Sequence, residues 1–257
     1  MLKKASLVGA FLFLVSNGYA ATALCSIDTP PSAQTVDNVV DGDTLRLRDG
    51  RRVRLIGINA PEMGGRGHRT EAYALQATRR LTALVTASNN RIHLRIGEPS
   101  HDRYGRVLAH VYDRTGLSLE AQLVAEGLAY HTVVAPNIAL VGCLTQAEQL
   151  AHRQHLGVWK NATFTRAKEI NTGGFTLLQG RIERVQRNRG GVWLELGHSV
   201  TVNIPLSALR YFKGVRFEQW QGRTLKTRGW VSEGKGRQKK HAKWRLTVSH
   251  PSMLELQ

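Results

Sequence analysis

The sequence predicts an α+β fold in two parts: a β-barrel with helices packed on it, followed by a second, smaller, all-β barrel. Three observations point to it. Short strand-forming runs with Gly and Asp turns open the chain, amphipathic segments of helical length then alternate with further strands, and beyond about residue 171 strand candidates dominate. Strands followed by helices are the signature of an α+β domain.

The elements follow in order. "TVDNVV" (35–40), "TLRLR" (44–48) and "RRVRLIGI" (51–58) are rich in β-branched and alternating apolar residues, with "DGD" and "DG" as turns, and predict a three-stranded meander. "TEAYALQATRRLTALVTAS" (70–88) places Ala77, Leu81, Leu84 and Val85 on one face at helical spacing, and Asn89 and Asn90 end it. "RIHLRI" (91–96) and "RVLAHVY" (106–112) return to strand. "SLEAQLVAEG" (118–127) predicts a short helix ended by Gly127, and "TQAEQLAHRQHLG" (145–157) one that opens on a Thr145-x-x-Glu148 capping box and closes at Gly157. His152 and His155 lack a third metal ligand and are read as a solvated helix face. The character changes near "NTGG" (171–174). Beyond it lie "FTLLQGRIERV" (175–185), "VWLEL" (192–196), "VTVNI" (200–204), "RTLKTRGWV" (223–231) and "KWRLTVS" (243–249), with a short helix expected near "PLSALRYF" (205–212). Five strands interrupted by one helix fit a small closed barrel of OB type. The expected organisation is therefore a leader at 1–24, a first domain at 25–171 and a second at 172–257.

The leader carries Lys3 and Lys4, an apolar stretch too short and interrupted to span a bilayer, and small residues at Gly18, Ala20, Ala21 and Ala23. That pattern predicts a cleaved secretory signal, with a single membrane anchor as the alternative. A secreted or periplasmic protein, not inserted in a membrane after cleavage, is expected. The formal charge of +17 includes +11 on residues 172–257, where 16 Lys plus Arg face 5 acids. Such an excess makes a polyanion the natural partner, and a generally basic exported protein the plainer reading. Two cysteines, Cys25 and Cys143, are too few for a four-cysteine zinc site. One disulfide in an oxidising compartment is expected, with two free or separately paired thiols as the alternative.

Three stretches carry the chemistry: "DGDTLRL" (41–47), "RLIGINAPE" (54–62) and "HDRYGRVLAHVY" (101–112). They bring together carboxylates at Asp41, Asp43 and Glu62, guanidinium groups at Arg54 and Arg106, and the amide of Asn59. Oxygens at this density suit a hard divalent cation such as Ca²⁺. Two permanently charged arginines suit phosphate oxygens on which negative charge grows. Taken singly, each residue also has a structural reading, as a salt-bridged strand arginine, a surface acid or a turn aspartate.

Together these motifs resemble the staphylococcal nuclease (thermonuclease) family from about Thr35 to Trp159. The resemblance implies an OB-type barrel with helices packed on it. It also implies a Ca²⁺-dependent phosphodiesterase acting on DNA and RNA, which cleaves the bond to the 5′ oxygen and leaves 3′-phosphate ends. Residue by residue, it implies Asp43, Asn59 and the carbonyl of Ala60 as metal ligands, with Asp41 supporting the metal site. It implies Arg54, Arg106 and Glu62 as catalytic residues. Asn59 departs from the family's usual aspartate and removes one negative charge from the metal site. Thr132 and Val134 in "TVVAPN" stand where the family places base-stacking tyrosines, and Tyr104 and Tyr130 are the substrate-stacking candidates that remain. The alternative reading keeps the fold and loses the chemistry, leaving a nucleic-acid-binding or scaffold protein. For the second barrel, direct nucleic-acid contact is weighed against a protein or polysaccharide partner; its turn "EGKGRQKKHAK" (233–243) is a candidate contact.

Overall fold

The structure is a computed structural model that describes residues 25–65, 67, 69–234 and 242–257. The expected signal at 1–24, most of the basic turn at 233–243, and Arg66 and His68 lie outside the described residues.

The first barrel closes in the order β1 (Ala33–Asp41), β2 (Thr44–Leu47), β3 (Arg52–Leu55), β6 (Val107–Tyr112) and β5 (Arg91–His101). The β3–β6 pair is parallel, and β1 closes antiparallel onto β5. Helix α1 (Ala74–Ala87) joins the third strand to the fourth and buries Ala77, Leu81, Leu84 and Val85, the stripe read from the sequence. Asn89 and Asn90 end it in the left-handed region, which Asn tolerates better than most residues. Helix α2 (Leu119–Ala125) is capped by Ser118, whose hydroxyl accepts from the Ala121 N–H at 3.2 Å.

Helix α3 departs from expectation. It runs Val141–Arg153, so Thr145 and Glu148 lie inside it rather than forming a capping box. Glu148 is drawn inward instead: it accepts the His131 N–H at 2.7 Å and pairs with Arg228 of the second barrel. The structure joins Cys143, on this helix, to Cys25 by a disulfide with a Cα–Cα distance of 5.6 Å. His152, exposed on the same helix, sets its ring edge against Trp159 at 4.8 Å.

The second barrel repeats the first in strand order. Strands β9 (Gly174–Asn188), β10 (Gly191–Leu196), β11 (Val200–Pro205), β13 (Trp244–Thr247) and β12 (Thr224–Glu233) close through a β12–β9 pairing, and β11–β13 is parallel. The expected helix between its third and fourth strands is a 3₁₀ segment, Leu206–Tyr211. Both barrels therefore have OB connectivity, although their sequences share no visible motif. Two short strands of the second barrel's sheet escape sequence reading: β14 (Leu254–Leu256) on β12 and β8 (Thr165–Arg166) on β9. With Ala167 in the second core, chain ahead of residue 172 already contributes to the second barrel.

The barrels meet through a small apolar cluster of Ala151, Val158, Trp159 and Leu177, flanked by Tyr130 and Phe175. The Glu148–Arg228 pair and Ser249 reinforce it; the Ser249 hydroxyl accepts the Ala135 N–H at 2.9 Å and donates to the Val133 carbonyl at 3.2 Å. Among the described residues no helix is long and apolar enough to cross a membrane.

Candidate active site

The turn between β1 and β2 positions the acids. Asp41 pairs with Thr44 across the hairpin and its Oδ1 accepts the Asp43 N–H at 3.0 Å, so the two carboxylates are held on one short turn. Gly42 lies so tightly on α1 that a Cβ there would sit 2.6 Å from the Cβ atoms of both Ala60 and Ala77. Neither neighbour can swing away, so Gly42→Ala is expected to cost about 1–3 kcal/mol through overpacking and to displace Asp43. Urea unfolding measures the first effect; an unchanged midpoint would refute the close approach.

Asp43 is buried, and its carboxylate is fully engaged. Oδ2 accepts the Ala60 N–H at 2.9 Å and pairs with Arg54 Nη2 at 3.0 Å, while Oδ1 accepts from Thr44 Oγ1 at 3.1 Å. The β2–β3 register sets Thr44 opposite Arg54, which explains why the arginine reaches the acid. Arg54 also donates to the Leu55 carbonyl at 2.8 Å and to Asn59 Oδ1 at 3.3 Å. Asn59 and Ile58 form β4 (Ile58–Asn59), paired to β7 (Tyr130–His131), and this two-residue ladder fixes the amide toward Arg54.

Glu62 follows Pro61 and is exposed at the rim. Its backbone is clamped to Glu71: the Glu62 N–H donates to Glu71 Oε2 at 2.9 Å and its carbonyl accepts the Glu71 N–H at 3.0 Å. Arg106 is oriented by Asp102, whose Oδ2 accepts from Nε at 2.7 Å and whose Oδ1 accepts the Arg106 N–H at 2.9 Å. Burial works against the Asp102 charge, but the Arg106 hydrogen bonds outweigh it and lower its pKa.

The electrostatics show how the groups converge. Burial pushes the Asp43 carboxyl up to about 6; Arg54 and the Ala60 N–H pull it down, while Asp41 and Glu62 push it further up. The Glu62 carboxyl, half-shielded although its residue stands at the rim, is raised above its ordinary value by that partial burial and by Asp41 and Glu71, against the pull of Arg54 and Arg106. Both guanidinium groups thus act on the Glu62 carboxylate.

A cleft of about 840 Å³ contains Arg54, Asn59, Glu62, Tyr104 and Arg106 among its lining. Asp43 and Ala60 lie buried behind Asn59 and Arg54. Tyr104 is exposed, with the guanidinium groups of Arg103 and Arg106 at 4.8 and 5.6 Å from its ring centre. The structure does not bring Tyr130 to this cleft. Its ring packs against Trp159 at 5.2 Å and Phe175 at 5.3 Å and lines a different groove, because β7 turns it toward the second barrel. Sequence reasoning missed two residues: Asp102 was legible as an acid four residues before Arg106 in a glycine turn, whereas nothing in the sequence marked Glu71. Trp230 stands in the sequence among the second-barrel aromatics, of which one or two are expected to stack on bases, with no local signal to single it out.

The donor set fits a hard cation. Among the described residues no three His, Cys, Asp or Glu side chains converge as a metal site; the oxygens gathered around Arg54 are the Asp43 carboxylate and the Asn59 amide, with the Ala60 backbone beside them. Burial is the main cause of the upward push on Asp43, and the carboxylates of Asp41 and Glu62 add to it against the pull of Arg54. A mixed set of carboxylate, amide and carbonyl oxygens with water suits Ca²⁺ better than a thiolate- or imidazole-seeking metal.

Comparison with known proteins agrees with this geometry. Residues 52–161 match the family model described as staphylococcal nuclease homologue. The chain is 30% identical to a thermonuclease of Staphylococcus intermedius over 152 residues, covering 58% of the chain and 89% of that relative. It is 30% identical to a thermonuclease of Staphylococcus hyicus over 129 residues, with 49% and 75% covered. It is 29% identical to endonuclease YncB of Bacillus subtilis over 141 residues, with 53% and 66% covered. The matched span holds Arg54, Asn59, Ala60, Glu62, Tyr104, Arg106 and Tyr130, and ends before the second barrel begins.

Proposed function

The chain belongs to the staphylococcal nuclease family, and from that premise we propose an exported, Ca²⁺-dependent nuclease that hydrolyses DNA and RNA and leaves 3′-phosphate ends. The observation that carries the reading is the convergence of Glu62, Arg54 and Arg106 on one cleft, with the buried Asp43 behind it. We place the division between the nuclease unit and the basic second barrel near residue 164, just ahead of β8.

Asp43, Asn59 Oδ1 and the Ala60 carbonyl would hold the metal, with Asp41 supporting Asp43. When bound, Ca²⁺ supplies Lewis-acid polarisation of the scissile phosphate. The Glu62 carboxylate takes a proton from a water molecule as its oxygen attacks phosphorus. The bond from phosphorus to the 5′ oxygen breaks, and that oxygen leaves with a proton from solvent. Arg54 and Arg106 donate to the phosphoryl oxygens as negative charge accumulates on them. Asp102 holds Arg106 in place for this, and Glu71 fixes the Glu62 backbone. The net charge of +11 on residues 172–257 strengthens attraction to the polyanion through its field.

End-group analysis tests the reaction. Products of single-stranded DNA and RNA that accept a 5′ phosphate label, and are extended by polymerase only after 3′ phosphatase treatment, support the reading. Directly extendable 3′-hydroxyl ends would overturn it.

A further inference from the structure

We propose that Trp230, supplied by the second barrel, is the base-stacking platform of the first barrel's cleft, so that both barrels build one substrate surface. The inference rests on the nuclease reading and deepens it.

Trp230 lines the cleft together with Glu62, Arg54 and Arg106, yet it stands on β12, far along the chain. Its neighbours Gly229 and Val231 are buried, so strand alternation turns the indole outward, and it remains 44% exposed. That is a large apolar face left open beside a ring of guanidinium groups. The ring is held there rather than loose. Trp230 is registered opposite Phe175, whose ring meets it edge-on at 5.3 Å, and Phe175 in turn packs on Tyr130 of the first barrel at 5.3 Å. On the other side, residues 133–135 are pinned to the second barrel by Ser249.

The alternative aromatic, Tyr104, has Arg103 and Arg106 stacked over its ring, and its hydroxyl accepts from Arg103 at 2.7 Å. Among the described residues no cation stacks over Trp230. A ligand with flat π-faces spaced between phosphates suits an open indole beside Arg52, Arg54 and Arg106, and that ligand is single-stranded nucleic acid. The same indole also lines a second groove of about 420 Å³ that includes Arg210, so a strand passing it reaches another exposed guanidinium.

The test uses residues 25–257 carrying Glu62→Gln, which keeps oligonucleotides intact, and compares a short oligothymidylate with an abasic oligomer of equal length. Trp230→Ala is expected to raise the Kd for oligothymidylate about 5- to 150-fold, the range for loss of one stacked base. Binding of the abasic oligomer should stay the same, and Trp230→Phe should recover most of the loss. Equal affinity of Trp230→Ala and its parent would overturn the proposal, as would an equal loss for the abasic oligomer, which marks a structural role. Hydrolysis by the unsubstituted chain is assayed in parallel. Its absence overturns the nuclease reading, whereas hydrolysis with binding insensitive to Trp230 overturns the platform alone.

Discussion

Replacing Glu62 with Gln, or Arg54 or Arg106 with Met, is expected to lower kcat on single-stranded DNA by about 10²- to 10⁴-fold for each change. The arginines should matter as much as the base, because most of the barrier reduction in phosphoryl transfer comes from stabilising charge on the phosphoryl oxygens. Lys at either position should recover little, since an ammonium cannot reproduce the planar fork that meets two oxygens together. The two arginine variants should differ in stability. Arg54 lies against the buried Asp43, so its loss leaves that acid without its ion-pair partner, whereas Arg106 pairs with the less buried Asp102. The raised pKa of Glu62 adds a pH signature. The base is active only when deprotonated, so kcat/KM should fall as pH drops through a value above that of an ordinary glutamate, and Glu62→Gln should remove that limb. Three variants that retain rates near the parent would contradict the assignment.

The second large effect is on stability. Glu148 and Arg228 bridge the two barrels with side chains only 9% and 14% exposed. Burial raises the Glu148 pKa, against the pull of Arg228 and the His131 N–H. Breaking such a pair from one side leaves a charge in a low dielectric, so Arg228→Ala is expected to cost about 3–5 kcal/mol. Replacing both partners, with Glu148→Gln and Arg228→Met, should recover much of that loss, because the amide can still accept the His131 N–H. Urea unfolding with a double-mutant cycle measures the coupling. A cost for Arg228→Ala below about 1 kcal/mol, the range of a surface pair, would show that the barrels do not depend on it.

How much of this was legible in the sequence depends on whether the cause is local. The stripe on α1, the Ser118–Glu120 entry to α2 and the hairpin at Asp41–Thr44 are set by spacing and turn chemistry within a few residues, and all could be read directly. The site's frame was legible for the same reason: Asp43, Arg54, Asn59 and Glu62 fall within twenty residues, on neighbouring strands and the turns beside them. What escaped was set by contacts distant in sequence. Thr145 and Glu148 have the letters of a capping box, but the helix begins at Val141 and Glu148 answers to Arg228, eighty residues away. Tyr130 was a reasonable stacking candidate until β7 turned it against Trp159 and Phe175. Trp230 enters the cleft only because the second barrel docks there, and no local pattern encodes docking.

The proposed chemistry is hydrolysis of phosphodiesters in the cleft through Glu62, with a cation held at Asp43. The most direct measurement is cleavage of single-stranded DNA by residues 25–257, stripped with chelator and then given back Ca²⁺, beside Glu62→Gln and Asp43→Ala under the same conditions. No cleavage is expected after stripping, with recovery on adding Ca²⁺ to the parent chain and almost none in either variant. Cleavage that survives chelation, or that both variants retain, would contradict that chemistry.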